Sequence, residues 1–380
     1  MSFDFLRTRV EQQDLLNLKR RRVLVEQQNA RHLVVDGKQY LNFSSNDYLG
    51  LNHHPEINKA LAQGVEKFGS CSSASSLISG YQYAHQHLEE KVCQWLNKPK
   101  CLLFNSGFSA NQAVLSSLAN ENVAFYLDKL SHASLIDGAF GQNGYAKRFK
   151  HNDYAHLDQL LTTSKYSNKL VVSEGVFSMD GDAADTAILG NICQTNHAKL
   201  YIDDAHAIGI KGTHGEGSVA DNADIDIIMA TCGKAIATSG AFIACDNDLH
   251  DYLVNFARHY IYSTAMSPAN AWATAVSIEL IEKEHWRREK INHLSQLFST
   301  KLDQHVNLLP TSSSIHAIVL GSEQQAIEAA NKLKAQGIWL TAIRPPTVAK
   351  GTSRLRVTMC SSHKEQDINY LAESINKVIQ

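Results

Sequence analysis

Four short segments carry residue types that can do chemistry together. Tyr201-Ile202-Asp203-Asp204-Ala205-His206 puts two carboxylates and an imidazole at the end of an apolar run. Burying a carboxylate is costly unless a partner satisfies it. Asp203 is therefore expected to meet a cationic ring nitrogen, with His206 hydrogen-bonding a neighbouring polar group of the same ligand. Thr231-Cys232-Gly233-Lys234-Ala235 follows the apolar run 225–230 and sets one lysine among small residues. Desolvation or a nearby cation would lower its pKa and leave an amine able to form a Schiff base. Thr231 could bond a phosphate oxygen. Asn105-Ser106-Gly107-Phe108-Ser109 lies between a predicted strand and a predicted helix, where glycine admits a close ligand and the helix start offers free N–H groups to a phosphate. Ser131-His132-Ala133-Ser134 places an imidazole where it could stack on a planar ligand. Each segment alone also has an ordinary reading: a capping turn (with Ser131 as the cap in the last case), a solvated loop, a surface lysine.

Their combination points to one cofactor. A phosphate cradle, a strand-end Asp, a His and a later small-flanked Lys are the parts that hold pyridoxal 5'-phosphate (PLP). The Asp keeps the pyridine nitrogen protonated, so the ring accepts electrons, while the Lys tethers the aldehyde and moves a proton. Other motifs are missing or incomplete. There is no Walker A sequence, H-E-x-x-H or G-x-S-x-G. Gly215-Glu216-Gly217-Ser218-Val219-Ala220 fits a loose G-x-G-x-x-A but lacks a preceding strand, so no dinucleotide site is expected there. The eighteen histidines show no metal-ligand spacing.

These residues need a scaffold that brings strand ends together. Short apolar runs alternate with amphipathic stretches: strands at 101–104, 123–127, 170–173, 200–202, 225–229 and 241–245, with helices at 108–119, 131–140 and 186–196. The alternation predicts βαβ units and a mostly parallel sheet, whose ligands bind beyond the strand ends. Helices are predicted at 248–258 and 268–284. Strands at 315–320, 339–344 and 354–359, with helices at 322–336 and 364–379, suggest a separate α+β unit. Residues 3–30 read as polar and helical, followed by strands at 32–35 and 40–43. The expected organisation is an N-terminal segment 1–45 packing with the small domain, a large PLP-binding domain 46–285 and a small α+β domain 286–380.

Composition narrows the classes. Lys and Arg number 36 against 38 Asp and Glu, a net charge of -2, which argues against a nucleic-acid or anionic-membrane binder. Seven cysteines, an odd number without a C-x-x-C pair, fit a reducing compartment better than a disulfide framework. No apolar run approaches the ~18–20 residues that span a bilayer, and the first residues do not read as a signal peptide. A cytoplasmic protein is the expectation.

Longer strings carry a family resemblance. Residues 40–51 (YLNFSSNDYLGL), 130–134 (LSHAS), 174–181 (EGVFSMDG), 203–206 (DDAH) and 256–264 (FARHYIYST) are similar to the α-oxoamine synthases of the fold-type I PLP-dependent transferases. Residues 342–348 (AIRPPTV) look like the branch that joins L-alanine to a pimeloyl thioester in biotin biosynthesis. The resemblance implies a large domain with a mostly parallel sheet and a smaller α+β domain. It implies Lys234 as aldehyde tether and proton-transfer base, Asp203 against the pyridinium nitrogen, His206 on the phenolic oxygen, and Ser178 touching the cofactor. His132 would stack on the ring and meet substrate, and Gly107, Phe108 and Thr231 would hold the cofactor. Arg356 would bind the α-carboxylate; Arg20, Arg344 and Thr347 would contact the acyl substrate or product. A homodimer is implied, and the acyl carrier, coenzyme A or acyl carrier protein, is left open. A glycine-using relative such as 2-amino-3-ketobutyrate ligase is the alternative, which 344–347 (RPPT) disfavours. A non-catalytic subunit is disfavoured by retention of Lys234, Asp203 and His206. Two departures stand out: the family's glycine-rich segment reads GSCSSASS at 69–76, and the glycine usual soon after the lysine is replaced within AIATS at 235–239.

Overall fold

The computed structural model describes residues 3–119, 121–141, 144–222 and 224–379. The chain forms two compact units. One comprises Leu49–Ser178 and Asp182–Arg288; the other takes the chain up to Tyr48, the short segment Met179–Gly181 and the chain from Glu289 onward.

The first of these units runs α1 (Pro55–Phe68), α2 (Tyr83–Leu96), β1 (Lys100–Phe104), α3 (Gly107–Leu118), β2 (Val123–Asp128), α4 (Ala133–Phe140), β3 (Tyr145–Phe149), α5 (Tyr154–Thr162), β4 (Asn168–Glu174), α6 (Thr186–Thr195), β5 (Lys199–Asp203), β6 (Ile227–Thr231), β7 (Ala241–Cys245), α7 (Asn247–Phe256) and α8 (Pro268–Lys283). Among the described residues the strands make a seven-stranded sheet in the order β1-β7-β6-β5-β4-β2-β3. All neighbours are parallel except that β7 runs antiparallel to both β1 and β6. The central strands are buried on both faces: Leu170, Val171, Val172, Leu200, Tyr201 and Ile202 are all within 2% of full burial. That is why they read as continuous apolar runs. Parallel order also collects the C-terminal ends of β2, β4, β5 and β6 at one edge, so Asp128, Glu174, Asp203 and Thr231 end neighbouring strands.

Several expectations need correction. The strand expected at 225–229 is Ile227–Thr231, because Asp226 turns out of line and its carboxylate accepts the Leu200 N–H at 2.8 Å. The helix expected from 131 begins at Ala133, and its cap is the His132 ring, whose Nδ1 faces the Ser134 N–H; Ser131 Oγ is buried without a partner. Strand β3 and helices α1, α2 and α5 were not anticipated. The strand is a sheet edge carrying Lys147 and Arg148, a charged pattern that protects an exposed edge but hides the strand from a search for apolar runs.

In the other unit the polar N-terminal stretch is helical only over Phe5–Leu15, and Gln27–Gln28 is a strand. The single strand expected at 339–344 is two. Ile338–Trp339 runs parallel to Lys38–Asn42, whereas Thr341–Ile343 runs antiparallel to Ser353–Thr358 in a second sheet with Ile315–Gly321. An unbroken apolar string cannot reveal that its halves pair with different partners. All seven cysteines are free. Among the described residues no helix is long and apolar enough to cross a membrane.

Two features carry testable consequences. Ser73 (φ 62°) and Ala237 (φ 58°) hold left-handed backbone conformations, and both sit in the segments that depart from the family's glycine pattern. A side chain there costs about 1–2 kcal/mol, offset in part by the greater unfolded-state entropy of glycine. Ala237→Gly is expected to stabilise the fold by about 1 kcal/mol, read as a higher urea midpoint. Separately, His316 is buried with neither ring nitrogen bonded, and burial drives its pKa down to about 4. Buried His363, stacked on Phe43, is also held at about 4. For both, the folded pKa lies below the unfolded value of 6.5. The unfolded chain therefore takes the proton first, and this stability is present above pH 6.5 and lost as pH falls toward 4. Unfolding measured between those limits should show the loss, and His316→Leu should shrink it while raising stability at neutral pH.

Candidate active site

The site begins with β5. Its last residue, Asp203, is 4% exposed, and both carboxylate oxygens are engaged: Oδ1 accepts the Ala205 N–H at 3.0 Å and Oδ2 accepts from Asn111 Nδ2 at 2.7 Å. Such donors offset the desolvation of a buried charge. Asp204, the next residue, serves elsewhere. It accepts from the Ser218 N–H at 2.7 Å and the Ser218 hydroxyl at 2.5 Å, and burial raises its carboxyl to about 6 against the lowering effect of those bonds. A Cβ on Gly217 would sit 2.1 Å from Asp204 Oδ2, so the glycines of that loop admit a carboxylate rather than a dinucleotide.

Lys234 lies in the turn after β6. Its Nζ is 2.7 Å from His206 Nε2, the residue three positions beyond Asp203. Thr231 Oγ1 donates to the Gly240 carbonyl at 3.2 Å and accepts the Gly233 N–H at 3.4 Å, tying the two ends of that turn together. On the other side, α3 starts at Gly107, and its Ser106 cap accepts the Ser109 N–H at 3.2 Å. The first N–H groups of the helix, at Gly107 and Phe108, have no partner within it and form an anion-binding end. A Cβ on Gly107 would lie 3.5 Å from the Met229 side chain and 3.7 Å from Thr231.

His132 is placed from two directions. Its N–H donates to Glu174 Oε1 at 2.6 Å, and its Nδ1 lies 2.7 Å from Ser134 Oγ. The preceding loop is anchored by Asp128, which accepts the Leu130 N–H at 2.7 Å and contacts His151 Nδ1 at 2.9 Å. Burial opposes charge on His151, but hydrogen bonds to Asp128 and Asp182 outweigh it and lift the imidazole to about 10. Glu174 itself has its carboxyl pushed well above the usual range, by burial first and by the neighbouring Asp203 charge second.

One cavity of about 190 Å³ joins these groups. Gly107, Phe108, His132, Ser178, Asp203, His206, Thr231 and Lys234, all singled out from the sequence, line it. So do Asn111 and Glu174, which the sequence reading did not select. A clue to Asn111 was present: it lies one turn into α3 beyond Gly107. Arg20, Arg344, Thr347 and Arg356 belong to the other unit. There Arg20 Nη2 donates to Thr347 Oγ1 at 3.3 Å, and Arg344 donates to the Asn17 carbonyl. Arg356 is buried, donating to Asn46 Oδ1 at 3.2 Å and Tyr48 Oη at 3.4 Å.

The donor set fits PLP: an amine beside an imidazole, a buried hydrogen-bonded carboxylate, and a glycine-led helix end next to Thr231 on one cavity wall. Among the described residues no group of three His, Cys, Asp or Glu is placed to hold a metal.

Comparison with known proteins agrees. The family model for class I and II aminotransferases matches residues 38–375. The 8-amino-7-oxononanoate synthase of Aliivibrio fischeri ES114 is 45% identical over 357 residues, 93% of each chain. That of Salmonella paratyphi B is 45% identical over 361 residues, 94% of each. Among solved structures, a serine palmitoyltransferase from S. paucimobilis with PLP bound superposes at TM-score 0.92 with 26% identity, covering 99% of this chain and 97% of that one. The 8-amino-7-oxononanoate synthase of Francisella tularensis gives TM-score 0.77 and 27% identity over 89% of this chain and 97% of that one. With its sheet, its cavity and its relatives in accord, the chain belongs to the class I and II aminotransferase family of fold-type I PLP enzymes, and within it to the PLP-dependent acyltransferases that include 8-amino-7-oxononanoate synthase.

Proposed function

We propose that this chain catalyses the decarboxylative condensation of L-alanine with a pimeloyl thioester, yielding 8-amino-7-oxononanoate, CO2 and the free carrier thiol, a step of biotin biosynthesis. The observation that carries this reading is the cavity wall shared by Lys234, His206 and Asp203, in a chain 45% identical to enzymes of that name. PLP, when bound, supplies an electron-accepting ring that stabilises the negative charge left when a bond to the amino acid Cα breaks.

The chain's own residues supply the rest. Lys234 would hold the aldehyde carbon, and its amine would take the proton from the alanine Cα and later return one to the product. Asp203, fixed by Asn111 and the Ala205 N–H, would keep the ring nitrogen cationic. His206 would bond the phenolic oxygen and hold the Lys234 amine in reach. Thr231 and the N–H groups at Gly107 and Phe108 would take the phosphate, with Ser178 as a further contact. His132 would cover the ring face and meet the incoming acyl group. Arg356 would clamp the α-carboxylate of alanine, which orients the Cα–H bond for proton removal. Arg20, Arg344 and Thr347 would contact the acyl chain or its carrier. A homodimer, which the resemblance implies, and a cytoplasmic location, which the cysteine usage suggests, complete this reading.

The deciding experiment incubates PLP-loaded protein with L-alanine and either pimeloyl-CoA or pimeloyl-acyl carrier protein, and identifies the product by mass. 8-Amino-7-oxononanoate is expected from at least one donor. A product from glycine and acetyl-CoA, with none from alanine and either pimeloyl donor, would move the assignment to a glycine-using relative. Lys234→Ala should lose the protein's visible absorbance band and reduce kcat by about 10²–10⁴-fold, the usual share of a positioned proton-transfer group.

A further inference from the structure

Along the cavity wall runs a buried polar chain centred on Asn111, which is 1% exposed. Its Oδ1 accepts from the Tyr201 hydroxyl at 2.5 Å. Its Nδ2 donates to Asp203 Oδ2 at 2.7 Å and to Ser134 Oγ at 2.9 Å. Ser134 Oγ in turn lies 2.7 Å from His132 Nδ1. One amide thus stands between the two groups expected at opposite parts of the cofactor ring.

The direction of every bond in this chain follows from chemistry. An ionised carboxylate can only accept, so the amide must turn its NH2 toward Asp203. That NH2 has two hydrogens, and the second points at Ser134 Oγ. Having accepted this hydrogen, Ser134 has its own hydroxyl proton to give, and the remaining neighbour is His132 Nδ1. The Ser134 N–H also approaches the same Nδ1, at 3.3 Å. Two donors converge on one ring nitrogen, so Nδ1 is an acceptor, and the proton of neutral His132 resides on Nε2.

We propose that Asn111 is a positioning residue that transmits the charge on Asp203 to His132, fixing the His132 tautomer with its proton on Nε2. Asn111 need not touch cofactor to do this. The same amide that braces the carboxylate aims the serine hydroxyl, so the electrostatics at one end of the ring and the donor offered on its face are set together. The consequence for catalysis rests on the function proposed above; the tautomer does not.

The test is long-range proton–nitrogen NMR on the 380-residue chain with 15N-histidine, with and without PLP, the His132 signals being identified by their loss in His132→Gln. The wild type should show a bare Nδ1 and a protonated Nε2; a proton on Nδ1 overturns the proposal. Asn111→Asp keeps the shape and puts an oxygen where Nδ2 was. Ser134 must then donate to that oxygen, and His132 should switch its proton to Nδ1. An unchanged tautomer in a folded Asn111→Asp protein also overturns the proposal. Should that variant not fold, the wild-type spectrum still decides. Because neither measurement involves substrate or product, its failure is distinguishable from failure of the alanine and pimeloyl assignment.

Discussion

A carboxylate at the end of a fully buried strand is the constraint on which the rest depends. Asp203 is nearly out of contact with solvent, and an isolated charge there would be too costly to keep. The fold answers with local donors, the Ala205 N–H and the Asn111 amide, and leaves the carboxylate on the cavity wall. Neighbouring Glu174 is equally buried, and burial first and the nearby Asp203 second push its carboxyl well above the usual range.

Sheet topology turns this local solution into a site. Parallel strands end on the same side, so β2, β4, β5 and β6 deliver their terminal residues to one rim. The helix α3 adds its N-terminal end to the same wall. The turn that carries Lys234 is closed by backbone bonds between Cys232 and Gly240 and between Lys234 and Ala237, the latter with Ala237 in a left-handed conformation. The chain therefore builds this turn without the glycine its family usually places there.

Much of this was legible beforehand, for a physical reason. Central strands buried on both faces must be apolar throughout, and β1, β2, β4, β5 and β7 were each recognisable within about two residues. Eight of the cavity residues were named beforehand because glycine and polar side chains beyond the ends of parallel strands lie where such sheets bind ligands. Elements whose sequence serves two demands were not legible: the charged edge strand Tyr145–Phe149, the split strand around Leu340, and the helix start at His132, where the imidazole displaced the expected serine as cap.

The amino-acid sequence by itself determined the class of fold, the order of the chemical groups along the chain and the cofactor they suit, because hydrophobic periodicity and side-chain chemistry are local properties. Only the tertiary structure showed where the second of the two adjacent aspartates turns, Asp204 accepting from the Ser218 N–H and hydroxyl. It also decided that Glu174 and Asn111 share the cavity wall, and that one amide joins Asp203 to His132. Those outcomes depend on hydrogen bonds between residues far apart in sequence, such as Asn111 and Asp203, and no spacing rule encodes the direction in which a buried side chain turns.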